Sequence, residues 1–311
     1  MDTIAVVLEK PEQIALRRLE LQPAAADDVV VEIEWSGIST GTEKLFWTGR
    51  MPAFPGMGYP LVPGYESVGR VVQVGEAAQH RLGERVFVPG ATCYKDARGL
   101  FGGAARRVVI PSARAIEMPE RLAERGVLLA LAATAQHAIS GGSPPDLIIG
   151  HGMLGRLLAR LTIAAGAPAP VVWETNPLRI GSTQPYPVID PKTDDRRNYA
   201  SIYDASGDSA LLDTLVQRLA KGGEIVLAGF YEAPLAFAFA PAFMREARLR
   251  VAAEWQPDDL VRVKALMNAG LFSLDALLTH RTDAGDAQAA YRTAFGDAEC
   301  LKMVLDWRGC A

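Results

Sequence analysis

The stretch DLIIGHGMLGRLLARLTIAAG, residues 146–166, constrains the fold more than any other part of this 311-residue chain. It consists of a short apolar run, a turn with glycines at Gly150, Gly152 and Gly155, and a segment typical of a helix. A G-x-G-x-x-G turn between a strand and a helix lets the backbone approach a pyrophosphate, which the amino end of the helix then faces. The spacing therefore predicts a dinucleotide-binding α/β unit.

An acidic side chain follows this turn at the distance that such sites require. Glu174 ends the apolar run PVVWE, 19 residues after Gly155. A carboxylate there accepts hydrogen bonds from ribose hydroxyls and repels a 2′-phosphate, so we expect NAD rather than NADP, although Arg179 lies close in sequence. The rest of the predicted cofactor site comprises Met153, Leu154, Ser206, Gly229 and Phe230.

Several features of this region have a second interpretation. The glycine turn can be a coincidence in an α/β domain, with Glu174 on the surface. The segments DASG, residues 204–207, and GFY, residues 229–231, are either plain turns or cofactor contacts at strand ends. His151, inside the turn, either faces solvent or contacts a phosphate.

The pattern of the chain changes near residue 118. Before it, Val- and Ile-rich runs such as DVVVEIEWSGI alternate with turns, as in a mostly β domain. After it, strands alternate with helical patterns, which predicts a parallel sheet covered on both faces. We assign residues 119–255 to the NAD-binding domain, and residues 1–118 and 256–311 to a catalytic domain. The run at 119–140 predicts one helix.

Composition excludes several classes of function. The net charge of -4 and the lack of a basic run argue against a nucleic-acid partner. The chain contains no run of about 18 apolar residues, so we expect no membrane-spanning helix. A transient contact with a membrane surface remains open. The start, MDTIAVVLEKPEQ, does not resemble a signal peptide. The three cysteines are far apart and form no C-x-x-C pair, which suits a reducing cytoplasm. Because the histidines also form no H-x-x-x-H pair, we expect no metal site.

The order of a β-rich half, a Rossmann domain and a return segment resembles the medium-chain dehydrogenase/reductase superfamily. VVEIEWSGIS, PLVPGYESVGRVVQVG, LGERVFV and GHGMLG match that family in order and spacing. The resemblance implies an α/β architecture with a GroES-like catalytic domain and a doubly wound parallel sheet. It also implies a homodimer formed through edge strands of the nucleotide domain.

The chain departs from the zinc-containing members of that superfamily at the metal ligands. Ser39 and Tyr65 stand where those members have Cys and His, and the third ligand, a Cys, falls near Ala130. Glu66 is retained. A hydroxyl, a phenol and a methyl group cannot replace two thiolates and an imidazole. We therefore expect no catalytic zinc.

A closer resemblance, to a zinc-free branch that acts in bacteriochlorophyll biosynthesis, lies in SGISTGTEKLFWTGRMPAFPGMGYPLVPGYE, RLLARLTIAAG, LAKGGEIVLAGFY and RVAAEWQP. It implies NAD-dependent oxidation of the 3-(1-hydroxyethyl) group of a (bacterio)chlorophyllide to a 3-acetyl group. The conjugated macrocycle delocalises positive character as hydride leaves, which reduces the need for a Lewis acid. Two alternatives remain: a zinc-free NAD(P)H-dependent quinone or enone reductase, and a catalytically silent dinucleotide-binding sensor.

Under this resemblance, Tyr65 is the expected general base, because it occupies the position of a lost ligand. Its phenol, with a pKa near 10, must then be tuned downward by Lys44 or by the nicotinamide ring. Glu66 is a base, an orienting partner of Tyr65, or a structural residue.

Two further groups have catalytic and structural interpretations. Ser39 and Thr40 either relay a proton to solvent or form a capped turn. His137 either faces the nicotinamide or is satisfied within the core.

The loop LFWTGRMPAFPGMGYP is the predicted wall for a flat tetrapyrrole. Such a loop is also compatible with plain core packing. Arg50 can meet a propionate or remain solvated. The predicted substrate contacts are Trp47, Phe54, Met57 and Tyr59.

Overall fold

The structure, a computed structural model, describes residues 1–53, 55–181 and 183–310. The chain divides into two compact units: the first unit is Met1–Ala130 with Leu274–Ala311, and the second unit is Leu131–Ser273. From the sequence we placed the divisions at 118/119 and 255/256. The helix Pro257–Asn268 consequently lies in the second unit and not in the returning segment.

The secondary structure follows in chain order. The first segment contains β1 Asp2–Lys10, β2 Gln13–Glu20, β3 Asp28–Ile38, α1 Thr42–Thr48, β4 Ser67–Val74, β5 Arg85–Val88, β6 Arg107–Pro111 and β7 Ile116–Glu117. The middle segment contains α2 Leu129–Ser140, β8 Leu147–Ile149, α3 Met153–Ala164, β9 Val171–Trp173, α4 Pro177–Ile180, β10 Val188–Ile189, β11 Tyr199–Asp204, α5 Leu212–Arg218, β12 Leu219–Leu227, α6 Phe239–Arg245, β13 Arg248–Val251 and α7 Pro257–Asn268. The last segment contains β14 His280–Asp283, α8 Ala287–Gly296 and β15 Met303–Asp306.

The first unit is mostly β, as the Val- and Ile-rich runs predict. A hairpin of β1 and β2 accompanies a seven-stranded sheet ordered β14-β15-β3-β4-β5-β7, with β6 also paired to β3. Val29, Val31 and Ile33 of β3 are buried in one hydrophobic core with Leu305 of β15. β15 pairs antiparallel with β3, which confirms the predicted return of the terminal strand to the first unit.

The second unit confirms the predicted doubly wound parallel sheet. Its six strands are ordered β10-β9-β8-β11-β12-β13, and each neighbouring pair is parallel. The chain runs outward from β8 to β9 and β10, and then returns to the other side of β8 at β11. Ligands of such sheets bind beyond the carboxyl ends of the strands at this reversal, where β8 leads into Gly150.

The prediction of one continuous helix over 119–140 is wrong. Residues Glu120–Leu128 form 3₁₀ turns, and the α-helix begins at Leu129. Ala123 has φ 43°, a left-handed value that interrupts a right-handed helix. Gly126 passes so close to Met118 that a Cβ there would lie 2.6 Å from that side chain. Apolar spacing does not reveal such packing.

Candidate active site

The glycine turn has the strand–turn–helix setting that the sequence predicts. Gly150 follows β8 with φ 93°, a conformation that favours glycine. A Cβ on Gly155 would lie 1.9 Å from the Gly150 carbonyl oxygen, so this position also requires glycine. Gly152 precedes α3, whose first residues are Met153 and Leu154. The backbone amides at this helix end are suited to a pyrophosphate.

Glu174 directly follows β9 and is nearly buried, with 8% of its surface exposed. One carboxylate oxygen accepts hydrogen bonds from the backbone N–H groups of Thr175 and Asn176, both at 2.8 Å. The other accepts the N–H of His151 at 3.1 Å. A carboxylate has about four acceptor sites. Glu174 therefore retains capacity for a ribose hydroxyl while it binds the glycine turn.

His151 is neither exposed to solvent nor free to meet a phosphate through its ring. Its side chain is fully buried. Nδ1 lies 2.9 Å from the carbonyl oxygen of Arg179, and Nε2 lies 3.1 Å from the hydroxyl of Tyr186. Both ring nitrogens are thus engaged within the second unit, and both expectations from the sequence are wrong for this structure.

The predicted residues Ser206 and Gly229, at the ends of β11 and β12, are joined through Asp204, the first residue of the segment DASG. Asp204 Oδ1 accepts hydrogen bonds from the Ser206 N–H at 2.8 Å and the Ser206 hydroxyl at 2.6 Å. Its Oδ2 accepts the Tyr231 hydroxyl at 2.8 Å, and its backbone carbonyl accepts the Gly229 N–H at 2.8 Å. Burial raises the pKa of Asp204. Phe230 extends from the same loop with 44% exposure.

In the first unit, Tyr65 and Ser39 are brought into direct contact. Their hydroxyl oxygens are 2.6 Å apart, and the Thr42 side chain also bonds to the phenol. Burial, reinforced by Glu66, raises the pKa of Tyr65 above its ordinary value. The protein's own groups thus oppose the expected lowering of this pKa, and they keep the phenol protonated at neutral pH.

Lys44, the cation expected to lower that pKa, is engaged elsewhere. Its Nζ donates a hydrogen bond to the carbonyl oxygen of Phe295 at 3.1 Å. Thr40, the second member of the predicted relay, is half-buried. Ser39 is 4% exposed and donates its backbone N–H to Glu43.

Glu66 forms a buried ion pair with Lys302. Lys302 Nζ lies 2.7 Å and 3.0 Å from the two carboxylate oxygens and also donates to the carbonyl oxygen of Ile38 at 3.1 Å. Burial raises the pKa of Glu66, and Lys302 opposes that shift. This geometry matches the structural role among the three that the sequence left open. The sequence pattern offered no sign of Lys302 as the partner.

Glu43 of α1 is a further buried carboxylate that sequence reasoning missed. It accepts the backbone N–H of Ser39 at 3.1 Å and the Tyr291 hydroxyl at 2.8 Å, and it is fully buried. Burial raises the pKa of Glu43 to about 7. In sequence this residue looks like a solvated acid in the first turn of a helix, so no local signal identifies it.

The remaining predicted residues have other partners. His137 Nδ1 is 2.8 Å from Asp259 in the second unit. Trp47, Met57 and Tyr59 are partly buried and pack against the core of the first unit, and Tyr59 donates its hydroxyl to the Phe46 carbonyl. Phe54 lies outside the described residues.

The positions of the lost zinc ligands do not form a metal site. Ser39 and Tyr65 bond to each other, and Ala130 contributes a buried methyl group. Across residues 1–53, 55–181 and 183–310, no group of three or more His, Cys, Asp and Glu side chains is arranged to hold a metal ion. This donor set does not fit zinc.

Comparison with known proteins identifies the family. The model of the alcohol dehydrogenase GroES-like domain matches residues 25–120. The 2-desacetyl-2-hydroxyethyl bacteriochlorophyllide A dehydrogenase of Cereibacter sphaeroides is 59% identical, with 100% of each chain covered. The chain belongs to this dehydrogenase family. The family's Rhodobacter capsulatus member is 56% identical over 99% of each chain.

Family membership makes this chain an alcohol oxidoreductase of the medium-chain dehydrogenase/reductase superfamily. The fold agrees. A short chain alcohol dehydrogenase from Escherichia coli, solved as a complex with NADH, superposes with a TM-score of 0.83 at 21% identity. The alignment covers 98% of this chain and 99% of that one.

Proposed function

We propose that this protein oxidises the 3-(1-hydroxyethyl) group of a (bacterio)chlorophyllide to a 3-acetyl group with NAD⁺, without catalytic zinc, in bacteriochlorophyll a biosynthesis. The observation that carries this proposal is 59% identity over the full chain to a dehydrogenase named for a substrate of this class. The absence of a fitting zinc donor set at Ser39, Tyr65 and Ala130 supports the zinc-free part.

The residues of the second unit fit a dinucleotide. Gly150, Gly152 and Gly155 allow close backbone approach at the amino end of α3, and Glu174 has acceptor capacity for a ribose hydroxyl. NAD⁺, when bound, accepts the hydride of the carbinol carbon. Ser206, Gly229 and Phe230 are the proposed contacts from the ends of β11 and β12. The negative charge of Glu174 disfavours the 2′-phosphate of NADP.

We propose that a relay of side chains in the first unit carries the hydroxyl proton of the carbinol to solvent. Tyr65 remains protonated at neutral pH, so it does not act as a pre-formed phenolate. Instead, it takes the carbinol proton as its own proton passes to Ser39, 2.6 Å away, and onward through the half-buried Thr40 to solvent. Such proton transfer contributes about 10²- to 10⁴-fold.

Trp47, Met57 and Tyr59 are the proposed apolar contacts for the macrocycle, together with Phe54, which lies outside the described residues. The three described side chains remain partly exposed while they pack on the core. Arg50 is exposed and suited to a propionate. His137, whose Nδ1 lies 2.8 Å from Asp259, is proposed to face the nicotinamide from the second unit.

The deciding experiment combines purified protein, NAD⁺ and the 3-hydroxyethyl pigment. We expect NADH and the 3-acetyl pigment to form in equal amounts, followed by absorption. Tight NADH binding without pigment oxidation would instead favour the sensor, and NADPH-dependent reduction of a quinone would favour the reductase. Stoichiometric zinc in protein purified without added metal would contradict the zinc-free mechanism.

We also propose a homodimer formed through β13. This strand lies at the edge of the second unit's described sheet, where its backbone groups can pair with another strand. A surface patch beside it exposes large apolar side chains, and such patches mark interaction sites. The β13 patch comprises Phe237, Phe239, Phe243, Met244 and Leu249, which line one groove, and Val251, which lies two positions after Leu249 on the same face of β13. A second copy related by a two-fold axis would cover both the edge and the β13 patch.

A cytoplasmic location is proposed for the same protein. Cys93, Cys300 and Cys310 all lie within the described residues and form no disulfide bond there, which suits a reducing compartment. Within the described residues, every helix is too short or too polar to cross a bilayer. Any membrane contact is therefore proposed to be transient, and the net charge of -4 argues against nucleic acid as a partner.

A further inference from the structure

We infer that His151 is a positioning residue for the dinucleotide, because its ring fastens the glycine turn to the connection between β9 and β10. This inference rests on the proposed use of NAD. The turn and the connection bear the two groups that the cofactor needs, the amides before α3 and the Glu174 carboxylate. Their relative position consequently controls cofactor affinity.

The hydrogen bonds of the ring define its tautomer. The Arg179 carbonyl oxygen can only accept, so Nδ1 carries the hydrogen across the 2.9 Å contact. Nε2 then presents a lone pair and accepts the Tyr186 hydroxyl at 3.1 Å. Burial, with Arg156 nearby, lowers the pKa of His151 to about 4, so the ring is neutral at physiological pH. A protonated ring could not accept from Tyr186.

The backbone of the same residue is equally engaged. The His151 N–H donates to Glu174, and its carbonyl oxygen accepts Arg156 Nε of α3 at 3.1 Å. His151 lies between Gly150 and Gly152, the residues whose backbone permits approach of a phosphate. Through His151, the turn is thus bonded to α3, to the end of β9 and to the connection that follows.

Tyr186 completes the contact from the far end of the connection. Its side chain is 5% exposed, and its ring stands at 89° to the imidazole with the ring centroids 5.7 Å apart. Arg179 and Tyr186 are separated by seven positions, so the imidazole bonds to two points of the connection. An apolar residue at 151 would leave the Arg179 carbonyl without this donor and the Tyr186 hydroxyl without this acceptor.

The test compares two conservative variants of buried tyrosines. Tyr186→Phe removes the hydroxyl that bonds to His151. Tyr203→Phe, the control, removes a buried hydroxyl of the second unit that donates to the Ser143 carbonyl at 2.7 Å, away from the glycine turn. Titration with NADH, followed by its fluorescence, gives Kd, and thermal unfolding gives the Tm of each variant.

We expect Tyr186→Phe to raise the Kd for NADH about tenfold, which corresponds to 1.4 kcal/mol. Tyr203→Phe should keep the wild-type Kd, although its Tm should fall by about as much as that of Tyr186→Phe. In turnover, Tyr186→Phe should raise the KM for NAD⁺ and leave kcat unchanged. His151→Phe should raise the Kd at least as much as Tyr186→Phe does. The double variant His151→Phe/Tyr186→Phe should have the same Kd as His151→Phe, because both substitutions break the same contact between these two residues.

The outcomes separate this inference from the proposed function. Wild-type protein that binds no NADH contradicts the proposed cofactor use itself. Wild-type protein that binds NADH, with both His151→Phe and Tyr186→Phe folded and binding it equally well, contradicts the positioning role alone. A Kd raised equally in Tyr203→Phe would also overturn it, because the effect would then follow general loss of stability.

Discussion

Lys302 Nζ lies 2.7 Å from Glu66 Oε2, and both side chains are almost completely buried, at 1% and 0% exposure. Glu66 precedes β4, and Lys302 precedes β15 and also bonds to the end of β3. The pair therefore joins three strands of the first unit next to Tyr65. A buried charge without its partner is strongly destabilising, because the desolvation of that charge is no longer offset.

We expect Lys302→Met to lower the free energy of unfolding by about 3–5 kcal/mol, because it leaves the Glu66 carboxylate buried without its cation. Urea denaturation at pH 7 measures the change. The double variant Lys302→Met/Glu66→Gln removes both charges and should recover part of that loss. A double variant less stable than Lys302→Met would show that the pairing is not the cause.

Tyr65→Phe should lower kcat at least tenfold, because removal of one hydroxyl breaks the proposed relay between the carbinol and Ser39. Ser39→Ala should produce a loss of similar size, while NADH binding stays unchanged in both. Tyr94→Phe is the matched control, since Tyr94 is a buried tyrosine of the first unit whose hydroxyl donates to the Gly102 carbonyl at 2.5 Å. Unchanged turnover in Tyr65→Phe would remove Tyr65 from the mechanism.

Glu43 should make stability depend on pH. Its pKa is about 7 in the folded protein, against an ordinary value of 4.5. The folded protein therefore retains a proton that the unfolded chain has released, and stability falls as pH rises between these two values. A shift of this size corresponds to about 3 kcal/mol.

Glu43→Gln cannot release that proton, so its stability relative to wild type should improve by about 3 kcal/mol from pH 4.5 to pH 8. Urea denaturation of both proteins across this range measures the difference. The glutamine can still accept from the Ser39 N–H and donate to Tyr291 Oη. If the free energies of unfolding of the two proteins changed in parallel with pH, Glu43 would have the same pKa in the folded and the unfolded chain.

Val251→Glu should convert the proposed dimer to a monomer, because it places a charge within the β13 patch, where Val251 is 74% exposed. Analytical ultracentrifugation at micromolar protein concentration measures the oligomeric state. Val261→Glu is the control, since Val261 is 64% exposed on α7 and lies outside the β13 patch. A wild-type chain that sediments as a monomer, or a dimer that persists in Val251→Glu, would contradict this interface.

Local features were predictable from the sequence. The strand, glycine turn and helix around Gly150 follow from short-range backbone geometry, since Gly150 requires a positive φ and Gly155 a close contact within the turn. The alternation of strands and helices likewise predicted the parallel sheet. Family motifs identified the superfamily, which the family model and the full-length relatives confirm.

What the sequence by itself determined is thus the fold class, the dinucleotide turn and the family. The tertiary structure alone decided the protonation of the side chains. Glu66 pairs with a lysine 236 positions away, and Glu43 bonds to a tyrosine 248 positions away. The pKa of Tyr65 rises because the folded chain excludes water from the phenol. Backbone geometry depends on neighbours in sequence, whereas desolvation and charge pairing depend on neighbours in space.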